Sequence, residues 1–409
     1  VLREFKQRGI PLLAKYRSGQ RYGNMIPSLL STILMLAGIV SSSPLERLET
    51  RDAMGINAAI PQNFPDPSIL QDADGIWYSF STNNKPSGAN VPVARAPAPS
   101  GPWTYLSIDL LPTPGSWSNG QNVWAPDVRK IGSTYVLYYT AASTQETTHH
   151  CVGAAIASTI LGPYTAINTP IACPLSQGGA IDPSGFTDTD GTHYVVYKVD
   201  GNSIGHGGDC NNGVAPIVST PLMLQQLAED GVTPVGDAVE LLDRSDADGP
   251  LIEAPNLLLY EGVYFLFFSS NCYTSPDYDV SYAVASSVKG PFTKSSTPLL
   301  VTNNPFALTS PGGATSTVDG KNLVFHGNCA AGRCMFQSGI TIAGDIVSMG
   351  GPSSQSQSTR QASTQLNGPK TSEGPSPTTS RLLSISNSGA SAYMRHRSRP
   401  LLPLIGWFV

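Results

Sequence analysis

The chain has 409 residues, of which 40% are hydrophobic and 13% charged, and a formal net charge of −5. Such a length buries a sizeable core, and the acidic balance excludes the basic footprint of a nucleic-acid binder. Charged residues fall well under the usual quarter while 40 Gly and 34 Pro accompany them, the profile of a turn-rich, all-β, exported protein that acts on neutral partners.

Residues 1–24 carry six Lys or Arg (Arg3, Lys6, Arg8, Lys15, Arg17 and Arg21) against one acid, Glu4. No charge follows from Met25 to Leu45, and this apolar run ends in small residues, so 25–45 reads as a secretory signal peptide and 1–24 as an extension upstream of a start at Met25. Pro27 and the serines leave the run short of a comfortable membrane span. An extracellular protein without stable membrane association is expected.

Beyond it, five aromatic or β-branched runs recur about every 60 residues: "GIWYSFST" at Gly75, "STYVLYYTA" at Ser133, "THYVVYKVD" at Thr192, "GVYFLFFSSN" at Gly262 and "KNLVFHGN" at Lys321. Each is short and follows a turn residue, as a strand leaving a hairpin does. In phase with them, Gly-Pro-aromatic-Thr occurs at Gly101, Gly162 and Gly290, each time after an Ala-rich strand. An X-Pro pair precedes each run: Asp66-Pro67, Ala125-Pro126, Asp182-Pro183, Ala254-Pro255 and Ser310-Pro311. Five units of about four strands predict a five-bladed β-propeller over 60–350, a single all-β domain. "DPSILQDADG" and "DPSGFTDTDG" share an Asp-x-Asp-Gly tail, which lacks the later ligands of an EF-hand and reads as a hairpin turn. Of the six cysteines, only the local pair Cys329–Cys334 is expected from spacing. Residues 351–409 open on a Ser/Thr/Gln/Pro tract too poor in apolar residues for a core, and are expected to be a disordered tail.

The inner strands of a propeller bring equivalent ends to one central pocket. The X-Pro pairs mark those ends, so Asp66, Asp182 and Glu253, the residue before Ala254, should converge, with Asp127 nearby and Trp124 beside them. Taken singly, an Asp-Pro is a common turn initiator. Convergence of several acids in a charge-poor chain favours acid/base hydrolysis of a glycosidic bond, which needs one carboxyl protonated and one ionised. Glu253 stands among Ile252, Ala254 and Pro255, a setting expected to raise its pKa and make it the acid. Asp66 then serves as base, and Asp182 tunes and orients the acid.

The motifs "FPDPSI" at Phe64, "WAPDV" at Trp124, "IDPSGF" at Ile181, "EAP" at Glu253 and "FHGN" at Phe325 resemble, in this order, glycoside hydrolase family 43. The resemblance implies a five-bladed propeller and an inverting mechanism with Asp66 as base, Asp182 as pKa modulator and Glu253 as acid. It implies cleavage of α-L-arabinofuranosyl or β-D-xylosyl linkages in plant cell-wall oligo- or polysaccharide by a secreted monomer that needs no cofactor. Trp124, Asp127 and His206, the last in the Gly-rich "KVDGNSIGHGGDCNNG", are its candidate substrate contacts. His326 is placed near the channel axis, where many members hold a structural calcium ion or an ordered water. Two alternatives remain: a carbohydrate-binding propeller without activity, and a fructan-cleaving propeller hydrolase of family 32, whose Asn-Asp-Pro-Asn motif is here Pro65-Asp66-Pro67-Ser68.

Overall fold

The computed structural model describes residues 53–84 and 87–350; the upstream extension, the signal-peptide segment and the tail lie outside the described residues. Within them are five antiparallel sheets of four strands, each sheet built from strands consecutive in the chain. Blade one holds β1 (Ser68–Gln71), β2 (Trp77–Phe80), β3 (Val93–Ala96) and β4 (Thr104–Leu106). Blade two holds β5 (Trp124–Ile131), β6 (Thr134–Ala142), β7 (His150–Ala157) and β8 (Thr165–Ala166). Blade three holds β9 (Ala180–Thr187), β10 (His193–Val199), β11 (Leu222–Leu227) and β12 (Val239–Leu242). Blade four holds β13 (Ile252–Tyr260), β14 (Val263–Ser270), β15 (Ser281–Ala285) and β16 (Thr293–Lys294), and blade five holds β17 (Gly312–Ser316), β18 (Asn322–Cys329), β19 (Gly332–Ala343) and β20 (Ile346–Met349).

The first strands touch in a closed ring, β1 on β5, β5 on β9, β9 on β13, β13 on β17 and β17 on β1. This is the five-bladed β-propeller that the repeats predicted. Every recurring run is the second strand of a blade. The Asp-x-Asp-Gly tails form the β1–β2 and β9–β10 hairpins: Gly75 N–H donates to the Asp72 carbonyl and Gly191 N–H to that of Asp188, while Asp74 and Asp190 Oδ1 accept from Ile76 and Thr192 N–H. Gly-Pro-aromatic-Thr is the turn from third to fourth strand, with the glycines at positive φ (95°, 68° and 77°) and Thr104, Thr165 and Thr293 opening β4, β8 and β16.

The second strands read as unbroken apolar runs because both faces are buried. In β6, Leu137 and Tyr139 pack toward blade one while Val136 and Tyr138 pack toward blade three. In β14, Leu266 and Phe268 face blade three, and Phe265 and Phe267 face blade five. Successive side chains of a strand point to opposite faces, so alternate residues feed alternate seams. Each such side chain contributes about 1.5–3 kcal/mol by leaving water. The core is therefore a set of seams between blades, and the fifth seam is small, made of Ile60, Phe64, Ile69, Ala94, Val324 and Met335. Backbone bonds reinforce it: Ala59 and Ile60 N–H donate to the Met335 carbonyl and Phe64 N–H to that of Arg333, stitching the segment before blade one onto blade five. Besides the expected Cys329–Cys334 bridge, Cys151–Cys173 and Cys210–Cys272 are joined.

Candidate active site

Four inner strands slip register against their second strands at one equivalent place: between Trp124 and Asp127, Ile181 and Ser184, Glu253 and Asn256, and Gly312 and Thr315. The residue at the slip has positive φ in every blade: Asp66 (52°), Ala125 (41°), Asp182 (58°), Ala254 (54°) and Gly313 (58°). In blade five the equivalent residue is thus Gly313, not Ser310 as the X-Pro alignment expected. Proline marks the kink in the other blades, but strand register defines it, and glycine reaches the same φ without help.

A left-handed backbone costs a non-glycine residue about 1–3 kcal/mol and persists where its surroundings over-determine it. Here the N–H of each kink residue is held by the preceding blade. Ala125 N–H donates to Thr82 Oγ1 (2.9 Å), Asp182 N–H to Thr140 Oγ1 (3.0 Å), Gly313 N–H to Ser269 Oγ (3.0 Å) and Asp66 N–H to His326 Nδ1 (3.2 Å). Ala254 N–H donates instead to Asp182 Oδ2 (3.0 Å). Such kinks re-aim side chains, and the kink residues Asp66, Asp182 and Ala254 line a cavity of about 520 Å³ together with Trp124, Lys198, Glu253 and Arg333.

The three acids meet there in different surroundings. Asp66 Oδ1 pairs with Arg333 Nη1 at 2.9 Å, and its Oδ2 accepts from Thr82 Oγ1 at 2.5 Å. Burial opposes its charge, but Arg333 and Thr82 outweigh burial and hold its carboxyl below the usual range. Asp182 is pushed up to about 8, first by burial and then by the neighbouring Glu253 carboxylate. Glu253 does not have the apolar setting expected from its sequence neighbours. Its Oε1 accepts from the Tyr278 hydroxyl at 2.9 Å and its Oε2 from Lys198 Nζ at 3.1 Å. Asp182 and Glu253 thus face each other in one cavity, and it is on Asp182 that burial and the neighbouring carboxylate act.

Trp124 lines the cavity and stacks on His150, ring centroids 4.1 Å apart. His150 is buried, neither of its ring nitrogens has a hydrogen-bond partner, and burial lowers its pKa. It therefore stands neutral against Trp124 on the cavity wall, with both ring nitrogens shut off from solvent. Gly178 and Gly179 permit this wall: a Cβ on Gly179 would lie 2.3 Å from the His150 carbonyl and one on Gly178 2.3 Å from that of Asp200. Arg333 is held over the Tyr273 ring at 4.8 Å.

Two expected contacts do not reach the cavity. Asp127 lies past the kink, where its Oδ2 accepts from Gly185 N–H (2.7 Å), Arg129 Nε (2.8 Å) and Ser184 Oγ (3.3 Å), tying β5 to β9. His206 is exposed on its loop and is not among the cavity residues. His326 is buried behind Asp66. Because Nδ1 accepts from Asp66 N–H, the proton sits on Nε2, and burial pushes the imidazole pKa down to about 3, first by desolvation and then by Arg333. Calcium takes six to eight oxygen ligands, and among the described residues no three His, Cys, Asp or Glu are grouped to hold a metal. A protonated Nε2 fits a solvent oxygen on the axis, not a directly bound calcium ion.

Lys198, Tyr278, Arg333 and His150 were missed by motif reading. Lys198 left a signal, a lone charge inside the apolar run "HYVVYKV".

The sequence profile described as "Glycosyl hydrolases family 43" matches residues 56–342. A probable arabinan endo-1,5-alpha-L-arabinosidase A of Aspergillus flavus is 41% identical over 100 residues, which is 24% of this chain and 29% of that protein. A probable arabinan endo-1,5-alpha-L-arabinosidase C of Aspergillus niger is 30% identical over 213 residues, 50% of this chain and 58% of the relative. The matched stretch thus spans less than two thirds of either relative's length. Among solved structures, a thermostable family-43 glycoside hydrolase superposes with a TM-score of 0.60 at 24% identity, covering 73% of this chain and 95% of the other. The endo-arabinase of Bacteroides thetaiotaomicron superposes with 0.56 at 20% identity, covering 72% and 99%. These two likenesses are of fold.

Proposed function

The chain belongs to glycosyl hydrolase family 43, and from that premise we propose that it is a secreted, inverting hydrolase of pentosyl linkages in plant cell-wall polysaccharide, acting on α-L-arabinofuranosyl or β-D-xylosyl units. Asp66 is the base that activates water, Glu253 the acid that protonates the leaving oxygen, and Asp182 the carboxyl that keeps a proton available to Glu253. The observation that carries this reading is the opposite electrostatic treatment of carboxyls in one cavity: Asp66 is held ionised by Arg333 while Asp182 is pushed up to about 8. Pairs of carboxyls whose environments drive them apart are what acid/base hydrolysis requires.

Trp124, braced by the neutral His150 ring, offers an apolar face to a sugar ring. Arabinan is the first substrate to try, because the fungal relatives are described as arabinan endo-1,5-alpha-L-arabinosidases. Three disulfides among the described residues support secretion, since such bonds persist in oxidising compartments. The family match sets aside the fructan-cleaving alternative of family 32.

The test is turnover of 1,5-arabinan, xylan and the aryl α-L-arabinofuranoside and β-D-xyloside. Asp66→Asn and Glu253→Gln are expected to lower kcat by roughly 10²–10⁴ each. NMR of the first-formed sugar should show the inverted anomer. A well-folded protein that binds arabinan but turns over no pentosyl substrate would make it a binding propeller, and net retention would refute the inverting assignment.

A further inference from the structure

The kink ring supplies its own internal comparison. The side chain opposite the residue before each kink is Thr82 in blade one, Thr140 in blade two, Lys198 in blade three, Ser269 in blade four and His326 in blade five. Four of these accept the N–H of the next blade's kink residue. An ammonium has no lone pair to offer, so Lys198 cannot do this, and the Ala254 N–H turns to Asp182 Oδ2. The ring closes without Lys198. Its side chain is nevertheless 0% exposed, with Nζ 3.1 Å from Glu253 Oε2 and 3.2 Å from Asp200 Oδ1. A buried ammonium is expensive unless paired, and nothing in blade closure requires one here.

We propose that Lys198 is a positioning residue for the proton donor: its ammonium, braced by Asp200, clamps Glu253 Oε2 and so leaves Oε1, the oxygen beside Tyr278, to carry and deliver the proton. This rests on the reading of Glu253 as the acid. Both oxygens of Glu253 are occupied by donors, but they are not equivalent. Lys198 Nζ cannot accept a hydrogen bond, so a proton on Oε2 would face an ammonium, whereas the Tyr278 hydroxyl can turn and accept from Oε1. The clamp thereby selects which oxygen is protonated.

Lys198 also limits how tightly the proton is held. The charged and titratable groups around Asp182 and Glu253 are Lys198 on β10, Asp200 just after it, Asp66 before β1, Tyr278 after β14 and Arg333 on β19. His326 on β18 is neutral. Of the cations, Lys198 alone contacts Glu253, and it pulls Asp182 down against burial and against Glu253. Without it Asp182 would keep its proton to higher pH.

The test compares wild type with Lys198→Thr, which copies the blade-two solution and can accept the Ala254 N–H, and with Lys198→Met as a second uncharged variant. Two readouts are needed: kcat/KM against pH on arabino-oligosaccharide and on an aryl arabinofuranoside, and NMR titration of ¹³C-labelled aspartate carboxyls, which reads Asp182 whether or not turnover occurs. The basic limb and the Asp182 titration are expected to move up by about 1–3 units in both variants, as removal of an adjacent opposite charge does. The kcat should fall roughly 10–100-fold on the oligosaccharide and several-fold less on the aryl substrate, whose leaving group needs little protonation, with KM little changed. An unmoved Asp182 titration in a folded Lys198→Thr protein overturns the proposal, as does an equal kcat loss on both substrates. If wild type turns over no pentoside, the acid/base reading has failed on its own terms, and the titration still decides whether Lys198 governs Asp182.

Discussion

The ring of kink N–H bonds makes a sharp prediction at two threonines that differ in one respect. Thr82 Oγ1 accepts from Ala125 N–H and also donates to Asp66 Oδ2, whereas Thr140 Oγ1 accepts from Asp182 N–H and donates to no carboxylate. Both are buried. Replacing each by the isosteric valine keeps the volume and leaves one buried N–H unsatisfied, at a cost of about 1–3 kcal/mol. For a domain of this size, each kcal/mol lowers Tm by roughly 2–4 °C, so both variants should melt about 2–12 °C below wild type. Thr82→Val alone also removes a hydrogen bond to an ionised carboxylate, worth about 1.5–3 kcal/mol, or roughly 1–2 pKa units. Loss of a donor to the charged form raises Asp66, so the acidic limb of kcat/KM should move to higher pH in Thr82→Val and stay in place in Thr140→Val. Calorimetry and a pH–rate profile check the two halves. Equal acid-limb shifts in the two variants would refute the pairing of Thr82 with the base, and thermal silence in both would refute the ring as a structural lock.

Two further outcomes follow from the same structure. The imidazole of His326 is held near 3 in the folded protein against about 6.5 when unfolded, so the unfolded state alone takes up its proton on acidification. Stability from this group is present above about 6.5 and is lost as pH falls toward 3, up to roughly 4–5 kcal/mol; His326→Asn, which keeps an acceptor for Asp66 N–H, should flatten the acid side of a Tm-against-pH curve, and an unchanged slope would contradict the neutral buried form. The Cys210–Cys272 bridge spans 62 residues, so Cys210→Ser/Cys272→Ser should lose roughly 4 kcal/mol by the loop-entropy relation, visible as a lower denaturation midpoint; an unchanged midpoint would mean that the loop is held by its other contacts, such as Asn212 Nδ2 to the Pro250 carbonyl at 2.7 Å.

Much of this protein was legible in its sequence because a propeller writes its architecture as local chemistry repeated in phase. Asp-x-Asp-Gly and Gly-Pro-aromatic-Thr are turns whose geometry a few adjacent residues settle, so they kept their meaning in the structure. The aromatic and β-branched runs marked one strand per blade, and equivalent positions in a ring must converge. Asp66, Asp182, Glu253 and Trp124 accordingly share one cavity.

Register and partnership were not written locally. A proline at Pro311 suggested a kink at Ser310, but pairing between β17 and β18 puts the kink at Gly313. Asp127 looked like a fourth pocket acid until the bulge carried it past the cavity onto the Gly185 N–H. The apolar neighbours of Glu253 in the chain gave the wrong surroundings, because a strand's side chains meet residues from other strands: Lys198 arrives from blade three and Tyr278 from the segment after β14. Sequence determined which residues repeat, since repetition is a property of the chain. Tertiary structure decided which charges face one another, since an ion pair depends on distances that are set by strand pairing and by the angle between blades.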